Sequence, residues 1–345
     1  MTQLEPPHSN RGVVIDEEKD LTTMVDYVRC SFKTHDVDLI IENILHIRKE
    51  YMQELESGFY GYIGTYQLEF IKCFYSSKLD TRGTLVEMSG QGCRQFEVFL
   101  KARNKTWLDF FNDCLALDGT FTRFDLAIDD RKTRLHIPAL LNKAHRGEVV
   151  SRFDNYDFNG SGNLNDGLNK GTTIYFGSKK SEFYLCFYEK NYEQAKKLKL
   201  DVEEIGKWNR YELRLKNDRA TECVKALLTA KDMSLVALQI LNNYIRFVDA
   251  GESDDKSTWK MNRKWEKFIG EVGKLRLYVK PNSEFYLKSK NWLRNSASRT
   301  MKMVLEADKH LGTNQLSDMI LEAEMTKKQE HMLDVMLADS EDMVC

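Results

Sequence analysis

Proline is scarce in this chain, with 4 among 345 residues, and net charge is nearly absent at −2. A composition of 42% hydrophobic and 30% charged residues with 19 glycines is that of an ordinary globular protein, long enough for two or three domains and a sizeable core. No apolar run approaches the roughly 18 residues of a membrane span, and the start MTQLEPPHSNRG is too polar for a signal peptide, so the expected location is the cytoplasm. The seven cysteines, Cys30, Cys73, Cys93, Cys114, Cys186, Cys223 and Cys345, are odd in number and never spaced C-x-x-C. That argues against a disulfide framework or a structural zinc site and fits reduced, partly buried thiols. Walker A, metalloprotease and nucleophile-elbow motifs are missing. So is any His-x-His pair, which leaves carboxylates as the metal donors and favours Mg²⁺ or Mn²⁺. A chain this close to neutral is no polycation, and nucleic acid would have to be bound by a local patch.

What is present centres on TTIYFGSKKSEFYLCFYEK, residues 172–190. Two alternating runs flank Gly177-Ser178-Lys179-Lys180, the pattern of a β-hairpin with a glycine-bearing turn. On its second strand Phe183, Leu185 and Phe187 face one way, and Tyr184, Cys186, Tyr188 and Lys190 the other. A phenol and an ammonium two residues apart, Tyr188 and Lys190, suit a reaction at a phosphate: a nucleophile with a cation beside the developing charge. FTRFDLAIDD repeats the plan, with Arg123, Asp125 and Asp129 opposite Phe124, Leu126 and Ile128. At ~3.3 Å per residue the two carboxylates lie about 13 Å apart along the strand, so they do not chelate one ion without help from elsewhere. WNRYELRLKN offers that help, with Glu212 among Arg210, Arg214 and Lys216. Cross-strand ion pairs on a solvated face account for any one of these strands. Three with the same plan point to a shared polar site on one sheet.

The remaining segments supply context. Residues 1–22 read as a flexible tail, 23–250 as the main domain, 256–337 as a basic helical region and 338–345 as an acidic tail. MVDYVRCSF reads as a strand, Asp36 as the cap of a helix reaching about Leu55, and residues 60–76 as paired strands. LVEMSGQGCRQFE places Gly90 and Gly92 where a strand enters a helix, a natural cradle for a phosphate oxygen, with Arg94 in its first turn; the helical pattern continues to about Leu117. The Asn-, Gly- and Asp-rich residues 151–171 read as a long loop or a nucleic-acid-contacting flap. Between Lys256 and Lys302, 13 lysines and arginines stand against 3 glutamates, a local balance of +10. Aromatic residues are interleaved with them. This suits phosphate contacts with base stacking by Arg263, Lys264, Trp265, Lys288, Lys290, Trp292 and Arg294, aided by Lys179 and Lys180 of the hairpin turn.

Four strings, EMSGQGCRQFE, TRFDLAIDD, TIYFGSKKSEFYLCFYEKNYEQ and NRYELRLKN, in this order and at these intervals, resemble the replication initiation factor family of rolling-circle replication initiators and conjugative-element relaxases. The resemblance spans roughly residues 24–249, and YIRFVD with the following basic segment looks like the conjugative branch. It implies an α+β fold, a curved and mostly antiparallel sheet backed by helices, followed by a helical basic C-terminal region. It implies metal-dependent nicking and rejoining of origin DNA, with Tyr188 as the nucleophile, Lys190 and Arg214 assisting, and Asp125, Asp129 and Glu212 binding Mg²⁺ or Mn²⁺. Tyr184 and Tyr192 stand as alternative nucleophiles. Expected partners are duplex and single-stranded origin DNA, a host helicase and a second copy of the chain. A phenol of pKa near 10 is about 0.1% ionised at pH 7, a deficit of about 4 kcal/mol that the site must offset. The competing expectation is a non-catalytic DNA-binding replication regulator on the same fold.

Overall fold

A computed structural model describes residues 20–165, 167–270, 292–326, 329–330 and 333. The chain divides into two compact units, residues 1–278 and 279–345. The first is built on a ten-stranded sheet of β1 (Leu21–Phe32), β2 (Gln53–Leu55), β3 (Gly64–Leu68), β4 (Ile71–Tyr75), β5 (Thr84–Ser89), β6 (Thr120–Asp130), β8 (Tyr156–Gly162), β9 (Asn169–Phe176), β10 (Phe183–Glu189) and β11 (Asn209–Lys216). Their order is β2-β3-β4-β5-β1-β6-β11-β10-β9-β8, and every neighbouring pair is antiparallel. Short strands β7 (Val149–Ser151) and β12 (Ile245–Phe247) form a second ladder.

One face of the large sheet is the core. Phe124, Leu126 and Ile128 of β6, Phe187 and Leu185 of β10, and Tyr211, Leu213 and Leu215 of β11 are fully buried there. Helices Gln91–Ala102, Trp107–Ala116, Asp218–Ala230 and Met233–Tyr244 lie against it, each sending in an apolar stripe at helical spacing, such as Ala220, Cys223, Val224 and Leu227. Each such large side chain contributes about 1.5–3 kcal/mol by leaving water. The strict alternation of the sequence therefore assigns the core face and, by exclusion, the polar one.

Local chemistry redraws several expected boundaries. Asp36 does cap a helix, its carboxylate accepting from the Leu39 N–H at 3.0 Å, but the helical stretch ends at Leu45 because His46 turns left-handed, with φ 53°. The long helix expected through Leu117 is two helices: Asn104 also takes a positive φ, and Thr106 with Asp109 forms a capping box that starts the second. The flap is largely ordered as the β8–β9 hairpin. The basic region does not begin as a separate domain. Helix Arg263–Ile269 packs into the first unit, with Trp265 fully buried against Phe187 and Phe247, so Trp265 is a core residue and cannot stack on DNA as expected. In the second unit, helices Ser298–Leu311 and Gln315–Glu322 are joined at Asp308, whose carboxylate accepts from Thr313 Oγ1 at 2.6 Å and the Leu316 N–H at 2.9 Å. Among the described residues no helix is long and apolar enough to cross a membrane.

Candidate active site

The face opposite the core carries the chemistry. Register sets Tyr188 opposite Arg210, Cys186 opposite Glu212 and Tyr184 opposite Arg214 across β10 and β11. Across β11 and β6, Arg210 faces Asp129 and Arg214 faces Asp125. A diagonal contact links the two central groups: the Tyr188 hydroxyl donates to Glu212 Oε1 at 2.7 Å. Lys190 Nζ donates to the same hydroxyl oxygen at 3.2 Å and is itself anchored on Glu193 at 2.8 and 2.9 Å. The phenol thus sits between a proton acceptor and a cation. Burial, and next the charge of Glu212, push its pKa far above the ordinary value, so at neutral pH it holds its proton.

Arg214 binds Glu212 Oε2 through Nε at 2.7 Å, stands 4.0 Å from an Asp125 carboxylate oxygen, and donates to the Tyr184 hydroxyl at 3.2 Å. Asp125 is 2% exposed and receives a two-pronged contact from Arg123 at 2.7 and 3.2 Å. Burial raises its pKa to about 6, against the pull of Arg123 and Arg214 and with Glu212 pushing the same way. Asp129 is joined to Arg210 at 2.6 and 2.8 Å, and Arg210 reaches across to Asp26 at 2.8 Å. The three expected metal ligands therefore fall into two groups: Asp125 and Glu212 share Arg214, whereas Asp129 belongs to Arg210. Among the described residues no three His, Cys, Asp or Glu side chains are gathered as around one ion. Nor is the face open: Tyr184, Cys186, Tyr188 and Arg210 are buried, with Lys190 over the Tyr188 ring at 5.3 Å and Lys216 and Arg214 over the Tyr184 ring at 5.4 and 5.7 Å.

The other expected contacts are spread out. Gly90 has φ +43° with free space around it, whereas a Cβ on Gly92 would lie 2.4 Å from the Phe70 carbonyl oxygen, so Gly92 is there for close packing. Gly92→Ala is expected to destabilise the fold by about 1–3 kcal/mol, measured by urea unfolding; the overpacked methyl has rigid backbone to displace. Arg94 pairs with Glu97 and also donates to the Val25 carbonyl, a largely structural commitment. Lys179 lies over the Tyr175 ring at 3.6 Å, while Lys180, Arg263 and Lys264 are exposed. Trp292 and Arg294 are exposed on the second unit, and Lys288 and Lys290 lie outside the described residues.

A replication initiation factor model matches residues 119–320, and a rolling-circle replication initiation protein N-terminal domain model matches residues 22–113. The Bacillus subtilis (strain 168) protein "Putative DNA relaxase NicK" is 63% identical over 346 residues, covering 99% of this chain and 98% of its own. The chain belongs to the replication initiation factor family. A solved rolling-circle replication initiator from Geobacillus stearothermophilus matches with a TM-score of 0.64 and 28% identity, over 75% of this chain and 98% of the other.

Within this member of the family the two models meet inside the sheet: the N-terminal domain model covers β1 to β5, the replication initiation factor model starts at β6, and the polar face crosses the seam. Asp26 is the clearest residue that alternation missed. The β1–β6 register slips between Val25 and Tyr27, so Asp26 is an extra, bulged residue aimed at Arg210. Nothing in a single strand's pattern marks such a slip.

Proposed function

We propose that the protein nicks and rejoins one DNA strand at an origin through a covalent phosphotyrosine on Tyr188. The observation that carries this reading is the Tyr188 hydroxyl held between Glu212 and Lys190. Glu212 Oε1 takes the phenol proton as the phenol oxygen attacks phosphorus; the phosphorus–O3′ bond breaks, and the departing 3′ oxygen takes up a proton. Lys190 steadies the negative charge on the phenol oxygen as the proton leaves, and Arg214 keeps Glu212 in place. The energy of the broken bond is kept in the phosphotyrosine, so a 3′-hydroxyl can attack it and reseal the strand. A free 3′ end also suits extension by a polymerase, with a host helicase to open the duplex.

The donor set fits a Mg²⁺ or Mn²⁺ ion. Asp125 and Glu212 are two buried carboxylates close enough to share one guanidinium, an all-oxygen pair of like charges that a cation would relieve. One or two carboxylates completed by phosphate and water is the usual protein contribution to a Mg²⁺ site. When bound, the ion would supply positive charge to the phosphate oxygens. Asp129 is better suited to hold Arg210 than to join them. Near identity in length and 63% sequence identity with a protein named as a relaxase support conjugative transfer over plasmid replication as the setting.

The test is incubation of the purified protein with labelled single strands from the element's candidate origin, with Mn²⁺ or EDTA, on a denaturing gel. A metal-dependent protein–DNA adduct is expected. No adduct on a strand that the protein binds would replace this reading with that of a non-catalytic regulator.

A further inference from the structure

The cross-strand register aligns an unusual row of like charges on the active-site face. Lys216 of β11 stands opposite Arg123 of β6, and Arg123 opposite Arg29 of β1. Arg29 in turn faces Glu87 of β5, and Glu87 faces Lys72 of β4. Like charges directly opposite one another destabilise a sheet, so three consecutive cations are a local fault that needs an external reason. Compensation within the fold is partial. Arg123 has Asp125, and Arg29 lies 3.8 Å from Glu87, but Glu87 also accepts from Tyr27 at 2.6 Å and Tyr60 at 3.0 Å. Lys216 donates to the Lys179 backbone carbonyl at 2.6 Å instead of to a carboxylate. Its pKa is lowered, first by burial and then by Arg123, which places these cations within each other's field.

The far end of the row is aromatic. Phe59 and Tyr60 are 64% and 55% exposed, although each is a large ring that a soluble protein would ordinarily cover. They are not loose. Both pack edge-on against Phe74, which with Tyr62 and Leu85 forms a small apolar cluster apart from the main core. Arg29 lies 4.9 Å from the Tyr60 ring centre and Lys72 5.7 Å from that of Phe59. Rigid exposed rings beside guanidinium and ammonium groups are what unpaired bases stack on, because every base offers a π face whatever its sequence. From β11 to β4 the row crosses four strand spacings, about 19 Å. At its near end Lys216 lies 5.4 Å from the Tyr184 ring centre, and Arg214, two residues along β11, binds the same Glu212 that holds the Tyr188 hydroxyl.

We propose that Lys216, Arg123 and Arg29, with Phe59 and Tyr60, form a track that holds the unpaired DNA strand leading to Tyr188, the cations taking backbone phosphates and the two rings stacking on bases. This rests on the reading that DNA is the substrate. The track lies wholly on the first unit: it starts beside the hairpin turn, where Lys216 holds the Lys179 carbonyl, and runs across β6 and β1 towards β4.

Equilibrium binding of the full chain to a fluorescein-labelled, mixed-sequence single strand, followed by anisotropy over a range of KCl concentrations, tests it. Lys216→Gln and Arg29→Gln are each expected to reduce the slope of log K against log salt by about 0.7, the signature of a single-stranded complex that neutralises one phosphate fewer. Tyr60→Ser is expected to weaken binding about tenfold with the slope unchanged, and to leave binding of the same sequence as duplex unaltered. Arg29→Gln, which loses a bond to Thr122, is read only if it gives the wild-type circular dichroism spectrum; otherwise Lys216→Gln decides the charge test. Unchanged slopes and affinity in folded variants would overturn the track, and equal losses on duplex and single strand would overturn its assignment to unpaired DNA. Adduct formation by a protein whose variants bind normally would refute the track alone. The expected variant effects without any adduct would refute the nicking reading and leave the track standing.

Discussion

A Tyr188→Phe protein is expected to form no covalent DNA adduct while binding DNA and unfolding at nearly the wild-type temperature. The substitution removes one hydroxyl, the group that donates to Glu212 and accepts from Lys190. Loss of a covalent nucleophile costs several orders of magnitude in rate. The structural cost is small by comparison, about 1 kcal/mol for one hydrogen bond, since Glu212 keeps Arg214 and Lys190 keeps Glu193. Two other phenols lie nearby. Tyr184 accepts from Arg214, a cation that cannot take its proton, and Tyr192 sits past the strand end on the first turn of helix Lys190–Leu198, against Gly171. An adduct that persisted in Tyr188→Phe would transfer the role to one of these. Denaturing gels and thermal unfolding of the same preparation separate the outcomes.

Asp125→Asn is expected to abolish nicking and to raise thermal stability, an opposite pair of effects that a structural carboxylate would not give. In the folded chain burial holds this carboxyl protonated up to about pH 6, against about 4 when unfolded. Below pH 4 both states carry the proton and there is no penalty. As pH rises from 4 through 6 the unfolded chain gives up its proton first, so stability falls, and by pH 7 the ionised group costs about 2–3 kcal/mol. Asparagine fills the same space without the charge, and unfolding followed at pH 7 and at pH 4 should show a gain of several degrees only at the higher pH. A lower melting temperature at pH 7 would show that the contacts with Arg123 outweigh the cost of burial. Retention of metal-dependent nicking would remove Asp125 from the site.

Much of this site can be read from period-two alternation, because a strand's face is fixed by residue parity once one side is buried. FTRFDLAIDD, NRYELRLKN and FYLCFYE each declare a core side and a polar side, and those assignments coincide with the folded protein. Parity does not fix register. That Tyr188 reaches diagonally to Glu212, that Asp125 keeps company with Glu212 while Asp129 does not, and that Lys216, Arg123 and Arg29 line up all depend on how four strands distant in sequence slide against one another. Composition misled at Trp265, where a basic surrounding hid a residue whose i+3 and i+4 neighbours, Phe268 and Ile269, turn it into the core. A break such as Asn104 is equally hard to see, since one left-handed residue interrupts a helix whose apolar spacing continues on both sides.

The bulge at Asp26 also bears on how the chain survives its own synthesis. β1 can pair with β5 once about ninety residues exist, but its other edge waits for β6, whose Thr122 is 93 residues beyond its partner Arg29. At 5–20 residues per second the remaining forty or so residues take about 2–8 s, during which a twelve-residue strand offers unpaired backbone to any neighbouring nascent chain. A kink with an inward carboxylate, followed three residues later by a guanidinium, interrupts the flat hydrogen-bonding row that another strand would need. The residue that clamps Arg210 in the finished sheet thus also places a carboxylate in the middle of β1, the kind of charge that disfavours pairing with a foreign strand.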